Sequence, residues 1–588
     1  MKVLIVGGGG REHALAWKIS MSPEVEAIYC APGNAGICGI AECIAIDSED
    51  IGALKDFALE NQIDLTVVGP EAPLVAGIAD VFGQAGLRVF GPKQAAARIE
   101  GSKSFAKKLM MKYNIPTAPG RSFASYEHAL AYLENAEYPL VIKADGLAAG
   151  KGVVVCQTPE EATGALDRIM NQRIFGDAGA AVLIEGFMAG EEASFIAFTD
   201  GKAVVPLPAS QDHKALGDGD TGPNTGGMGA VSPTPVVDIV MRQKIINQVM
   251  IPTVKAMAAE GAPFKGVLYA GLMIDGDKAR VVEFNCRFGD PETQPILMRT
   301  KTDIVPLMMA CIDGGLANYS LEIDPRPAAC VVVAVKGYPE KYDKGLPVTG
   351  LDVAKDDPDA RLFHSGTIEK EGSVVTAGGR VLGATAIGDT MELALQKAYE
   401  TATRVSFENK YHRTDIGHRT LLRLNTPAQV GIVMGSDSDL SVMAAAAEIL
   451  RQFDITYEFT VCSAHRTPEE AAVFGRSARE RGIKMIIAGA GHAAHLAGAM
   501  AAHSSLPIIG VPIDSSALNG FDALLSTVQM PPGMPVATMA VGKPGAKNAA
   551  VFAAQVLSVS DPELAKKVDA YKKKMAADVN RKARRFAG

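Results

Sequence analysis

Short apolar runs, each ending in a cluster of small residues, recur along this chain. Val3-Leu4-Ile5-Val6 leads into Gly7-Gly8-Gly9-Gly10-Arg11, and far downstream Val430-Gly431-Ile432-Val433-Met434 leads into Gly435-Ser436-Asp437-Ser438-Asp439. Both predict a buried strand, a tight loop and a helix, the layout in which loop N–H groups and a helix N-terminus hold a phosphate. Two such starts predict two catalytic units on one polypeptide.

The same patterning divides the α/β chain. Over 1–102, strands at Val3–Val6, Ala27–Tyr29, Leu65–Val68 and Arg88–Phe90 alternate with helical stretches. Gly-Pro pairs at 69–70 and 91–92 follow two of them, where open parallel sheets meet ligands. Ile99–Tyr113 reads as one helix entering a second unit, 103–325. That unit has strands at Leu140–Lys143, Val153–Cys156, Ala181–Glu185, Ser194–Thr199 and Ala279–Phe284. A long loop at 212–229 interrupts it, and loops of that length are usually functional. Residues 326–424 form a smaller α+β piece with strands Ala329–Val335 and Arg380–Ala386. Residues 425–429 read as a linker, and 430–588 as a βα-repeating domain. Its tail carries Leu564, Val568, Tyr571, Met575 and Val579 at helical spacing, a stripe suited to packing on a neighbouring subunit rather than on RNA.

Bulk composition narrows the function. The 588 residues are 48% apolar with net charge −8 and interspersed signs, which favours several folded domains and argues against nucleic acid as a partner. The eight cysteines are scattered, with no CxxC pair, so neither a zinc site nor a disulfide framework is expected, and a reducing cytoplasm fits. The apolar start is stopped by four glycines, too early for a signal-peptide core, and no run of about 18 apolar residues predicts a membrane span.

Two segments of the first half carry chemistry. Glu283 and Asn285, two apart on a strand, point to one face while Val282 and Phe284 point to the other. A carboxylate beside an amide oxygen suits Mg²⁺ carrying phosphates. In Val141-Ile142-Lys143-Ala144-Asp145-Gly146-Leu147-Ala148-Ala149-Gly150-Lys151-Gly152-Val153, one lysine lies on a strand. A second, Lys151, sits beside Gly150 in a small-residue loop able to close over a polyphosphate. No Ser or Thr follows Lys151, so this is not a P-loop.

Together with GGGGREHALAW at 7–17, GSKSFAK at 101–107, GPNTGGMGA at 222–230, EFNCRFGDPETQ at 283–294 and RTDIGHR at 413–419, these segments resemble the glycinamide ribonucleotide synthetases, ATP-grasp ligases. The resemblance implies a Rossmann-like N-terminal domain, an ATP-grasp domain and a small α+β domain. It also implies that ATP phosphorylates glycine and the amine of phosphoribosylamine attacks the acyl phosphate. By motif, Lys103, Lys143 and Lys151 face ATP phosphates, and Glu185 and Glu192 lie near adenine and ribose. Glu283 and Asn285 hold Mg²⁺ or Mn²⁺. Asp212 and Arg287 stand on the substrate side, Arg287 as a catalytic candidate, and Gly9, Gly10 and Arg11 meet the ribose phosphate. Two positions depart from the family pattern: Gly186 replaces a Glu, and Ala215 an Arg.

In the second half, Val461-Cys462-Ser463-Ala464-His465-Arg466-Thr467-Pro468 ends a strand and enters a helix. His465 can exchange protons near neutral pH, and Arg466 suits a phosphate or carboxylate. With GSDSD at 435–439, AGAGHAAHL at 488–496 and LLSTVQMPPGMPVAT at 524–538, the segment resembles the N5-carboxyaminoimidazole ribonucleotide mutases. The resemblance implies a flavodoxin-like three-layer fold, a homo-octamer and no cofactor. It implies Ser436, Asp439 and Arg466 on the nucleotide, and His465 shuttling a proton in a closed, dry pocket. Direct carboxylation by CO₂ is the alternative for this domain: His465-Arg466 favours the mutase, while Gly491-His492 and Ala497-Gly498 depart from it. For the first half, the alternative is a bicarbonate-dependent carboxylating ligase, and a pure assembly scaffold is the alternative for the second.

Overall fold

The computed structural model describes residues 1–148 and 152–584 and forms two compact units, residues 1–421 and 422–588. Gly150 and Lys151 lie outside the described residues.

The first unit opens with a parallel sheet ordered Glu42–Cys43, Ala27–Pro32, Lys2–Gly7, Leu65–Val68, Val89–Phe90. Lys2–Gly7 is buried from Val3 onward, which a parallel strand requires when helices cover both faces. Strand order reverses across Lys2–Gly7, so the Gly7–Gly10 loop leaves the sheet at its switch point, the ligand position of open α/β sheets.

Instead of one helix over 99–113 there are two, Gln94–Gly101 and Lys103–Lys112. Ser102 breaks them: its backbone is extended and its side chain caps the second helix through the Phe105 N–H. The break places Lys103 in the first turn of the second helix.

Two four-stranded antiparallel sheets follow. One is ordered Gly120–Phe123, Val182–Gly186, Leu140–Ala144, Val153–Cys156, the other Val204–Pro206, Glu191–Thr199, Gly266–Asp275, Lys278–Asn285. Gly266–Asp275, a strand the periodicity did not predict, is buried over most of its length, so it lacks polar–apolar alternation. The expected loop at 212–229 is largely ordered. It holds a hairpin, Ala215–Gly217 against Thr221–Asn224, and the strand Gly229–Ser232. With Gln211–Asp212, that strand joins a sheet built mainly from Ala328–Val335, Arg380–Ile387 and Ala360–His364.

The RTDIGHR segment ties down this hairpin. Arg413, fully buried, reaches Asp220 at 3.1 Å, Asp415 at 2.8 Å and the Ala215 carbonyl at 3.0 Å. Asp415 also accepts the Gly219 N–H at 2.8 Å, and Arg419 pairs with Asp220 at 2.6 Å. Burial opposes ionisation of both carboxylates, but Arg419 and then Arg413 hold Asp220, and Arg413 with the Gly219 N–H holds Asp415, below the usual carboxylate range. This contribution is present above about pH 4 and is lost as pH falls through the depressed values. Arg413→Met should cost about 3 kcal/mol in urea unfolding of this unit, the low end for a broken buried pair because both aspartates stay part exposed. The deficit should shrink in acid.

One cysteine expectation is corrected: Cys38 and Cys43 form a disulfide. The short helical turn Ile37–Gly39 folds the chain back onto the strand Glu42–Cys43 and brings the two Cα atoms to 5.4 Å, within bridging distance. The remaining six are buried free thiols.

The second unit is a parallel sheet ordered Tyr457–Val461, Val430–Met434, Met485–Gly491, Ile508–Ile513, Ala537–Thr538. This is the 2-1-3-4-5 order of flavodoxin-like folds. Helices Leu440–Gln452 and Lys543–Ser558 pack together, as do Pro468–Ser477 and Leu496–His503, completing three layers. The tail helix Pro562–Arg584 buries Leu564 and Val568 and sets Tyr571 against Phe453 at 5.2 Å. Met575 and Val579, the end of its stripe, are exposed.

Candidate functional site

A cleft of about 510 Å³ opens in the first unit, within the usual size for a small-molecule site. Its lining includes Lys103, Lys143, Glu185, Glu192, Asp212, Glu283, Asn285, Arg287 and Arg11, so the structure gathers most of the residues expected from sequence.

Glu283 and Asn285 line the cleft and Phe284 is buried in the core, as period-two alternation predicts, but Val282, expected on the Phe284 face, lines the cleft as well, and Val281 takes the core position. A bulge adds one refinement. Gly271 pairs with Glu283 and Leu272 with Val281, leaving Val282 without a partner across the strand. Its freed carbonyl accepts from Lys143 Nζ at 2.9 Å. Burial alone would raise the Glu283 carboxyl, but Lys214, Lys103 and Lys143 hold it below its ordinary value. Lys214, which the sequence reading left without a role, places its ammonium 2.9 Å from Glu192 and 3.8 Å from Glu283. A cation already held among hard oxygen ligands shows that this wall accepts positive charge, and Glu283 with Asn285 fits Mg²⁺.

Lys103 donates to the Gly146 carbonyl at 3.0 Å. Glu185 is buried in the floor between two ammoniums, Lys143 at 2.5 Å and Lys107. Lys107 was missed: it closes the GSKSFAK motif but carries no signal separating it from a helix-surface lysine. A Cβ at Gly186 would meet nothing nearer than Pro119, at 3.6 Å, so the backbone leaves room for a larger residue to start there.

Next to Asn285, Arg287 reaches Glu100 at 3.0 Å, Glu71 at 3.1 Å and the Asn285 amide oxygen at 3.3 Å. Burial would lower its basicity, but these carboxylates raise it, so the guanidinium stays charged. Asp212 also lines the cleft, and burial together with Glu292 pushes its carboxyl well above the usual range. Glu292 accepts from Tyr269 at 2.6 Å and Ser194 at 2.9 Å.

Gly9 and Gly10 open the first helix beside Asp290. A side chain at Gly10 would strike Ser365 at 2.5 Å and Gln294 at 2.7 Å. The Gly9 N–H and the Arg11 Nε both go to Glu12, each at 2.6 Å, so the protein's own carboxylate occupies groups expected to meet a phosphate. Arg380, also missed, pairs with Asp290 at 2.9 Å on this side of the cleft.

In the second unit, His465 and Arg466 follow the strand Tyr457–Val461. His465 Nε2 lies 2.9 Å from His495 Nδ1, and Arg466 donates to the Gly435 carbonyl at 2.8 Å. Asp439 is buried, and burial raises its carboxyl. Ser436 reaches Asp437 at 3.1 Å, and His492, at positive φ, faces Ser515 at 3.2 Å. Arg466 thus reaches the loop that carries Ser436 and Asp439, while His465 pairs with His495. In the single chain His465 and Arg466 are exposed. Loop residues at the open edge of a sheet have nothing of their own unit above them.

Family models match in four consecutive stretches. Residues 1–100, 101–293 and 328–419 match the N, ATP-grasp (A) and C domains of phosphoribosylglycinamide synthetase, and residues 429–578 match AIR carboxylase. The chain is 52% identical over 426 residues to a phosphoribosylamine–glycine ligase of Vibrio parahaemolyticus and 51% identical to that of Pseudomonas aeruginosa. Each match covers 72% of this chain and 99% of the relative. Among solved structures, the phosphoribosylamine–glycine ligase of Thermotoga maritima matches with TM-score 0.63 at 34% identity, covering 71% of this chain and all of that one. The biotin carboxylase domain of Hydrogenobacter thermophilus 2-oxoglutarate carboxylase, solved with MgADP, shares the fold at TM-score 0.55 and 16% identity.

Proposed function

The chain belongs to the phosphoribosylglycinamide synthetase family and carries an AIR carboxylase domain behind it, and from that premise we propose how its two halves work. It is a bifunctional enzyme of purine biosynthesis. The first half is a phosphoribosylamine–glycine ligase: ATP converts the glycine carboxylate to an acyl phosphate, and the amine of 5-phosphoribosylamine displaces phosphate. A free carboxylate is a poor acceptor, and phosphorylation supplies its leaving group.

The observation that carries our assignment of roles is the pairing of Glu283 and Asn285 beside a lysine-lined floor. We assign 1–102, 103–325, 326–424 and 430–588 as domains, joined by 425–429. Lys103 and Lys143, with Gly150 and Lys151 of the same sequence motif, hold the ATP phosphates, and Glu185 and Glu192 border the nucleotide. Mg²⁺ at Glu283 and Asn285 would offset charge on the transferred phosphoryl group. Asp212 and Arg287 serve the acceptor side. Gly9, Gly10 and Arg11 border the ribose phosphate, for which Glu12 must yield its hydrogen bonds. ATP turnover by the full chain should require glycine and phosphoribosylamine together; turnover that depends on bicarbonate instead would sink this reading.

For the second half we favour the N5-carboxyaminoimidazole ribonucleotide mutase reaction, without a cofactor. Ser436, Asp439 and Arg466 hold the nucleotide, and His465 handles the C4 proton as carboxyl moves from the exocyclic nitrogen to C4. The adjacent His465 and Arg466 support this reading. Substrate labelled in its carboxyl group should keep the label in the product when unlabelled bicarbonate is present; dilution of the label would assign direct CO₂ capture.

Exposed Leu518, Phe521, Leu525, Val528 and Val559 in the second unit suit self-association, in line with a homo-octamer that closes its pockets. No helix among the described residues is long and apolar enough to cross a membrane. Small phosphoribosyl substrates, glycine and a cytoplasmic location complete the reading, with no nucleic acid or membrane as partner.

A further inference from the structure

Lys107 is a fully buried charge on the cleft floor for which the reaction has no stated use. Its side chain is 2% exposed. Its ammonium contacts Glu185 Oε1 and donates to Thr117 Oγ1 and the Ala118 carbonyl, each at 2.7 Å. An ammonium has three protons, and these three partners use them all. The other Glu185 oxygen, Oε2, is 2.5 Å from Lys143. Lys143 has the Val282 carbonyl as its second partner, so among the described residues one of its N–H groups is left for a ligand in the cleft.

Charge decides what this arrangement does. Two ammoniums and one carboxylate leave a net charge of +1 at the floor. Without Lys107, Lys143 and Glu185 become a neutral pair, and a buried carboxylate facing a single ammonium competes with the nucleotide for it. We infer that Lys107 is a positioning residue for nucleotide binding: it satisfies Glu185 from behind so that Lys143 keeps its charge for an ATP phosphate. Lys107 itself touches no phosphate; it acts through Glu185. This rests on the assignment of Lys143 to ATP.

Direct binding of MgATP to the full chain, together with steady-state kinetics, tests the inference. Lys107→Met should weaken MgATP binding and raise its KM by roughly tenfold or more, with a smaller fall in kcat at saturation. Adding Glu185→Gln should restore binding to within about threefold of the Glu185→Gln single variant, because the competing carboxylate is then gone. Thr117→Val, which removes an anchor of Lys107 but not the charge, should stay within about twofold of wild type. Lys107→Met binding like wild type, losses that simply multiply in the double variant, or a tenfold loss from Thr117→Val would each overturn the inference. If Lys107→Met does not fold, Lys107→Arg, which keeps the charge, should bind MgATP within about threefold of wild type, and a tenfold loss would count against a charge role. Wild-type chain that fails to bind MgATP would overturn the ATP assignment itself, and this inference with it.

Discussion

Glu283→Gln should lower glycine-dependent ATP turnover by roughly a thousandfold or more, the cost of losing a charged group aimed at a transferring phosphoryl. The substitution is nearly isosteric, so packing is unchanged while one negative charge leaves the wall. Lys214, 3.8 Å from Glu283, keeps Glu192 at 2.9 Å, so no ammonium is stranded and the fold should hold. Steady-state assays at rising Mg²⁺ or Mn²⁺ should recover part of the loss if the defect is in cation binding. Carboxyl transfer by the second half should be unaffected. Full ligase activity in this variant would remove Glu283 from the metal site.

His465→Asn should remove carboxyl transfer by about a hundredfold to ten-thousandfold, the range for a positioned proton-transfer group, with ligase activity intact. His465 is exposed and its ring partner is His495 at 2.9 Å, so the loss is chemical rather than structural and the unfolding midpoint should stay put. An assay following label from the substrate carboxyl into C4, beside a sedimentation measurement of assembly, separates chemistry from scaffolding. Retained assembly with lost transfer argues against a scaffold; retained transfer would exclude His465 from the mechanism.

The two predictions differ in how far the residues could be read in advance. Glu283 and Asn285 were legible because strand alternation is local: two residues apart on one strand means one face, and the structure keeps them there. His465 was legible as a loop residue after a strand, but the openness of its surroundings was not, since exposure depends on what other segments cover. The Ser102 break was written in an N-capping residue, yet apolar periodicity ran through it and hid the cap.

Local pattern by itself determined the two strand–loop–helix starts, most strand positions, and the metal-suited pair. Those follow from steric and burial periodicities that a short window of residues contains. Only the tertiary structure decided that Lys107 and Lys143 share Glu185, that Lys214 sits between Glu192 and Glu283, that Arg380 meets Asp290, and that Arg413 is buried against Asp220. Each joins residues from separate elements. A charge finds its partner by distance in space and by loss of water, and neither quantity is written in the order of residues along the chain.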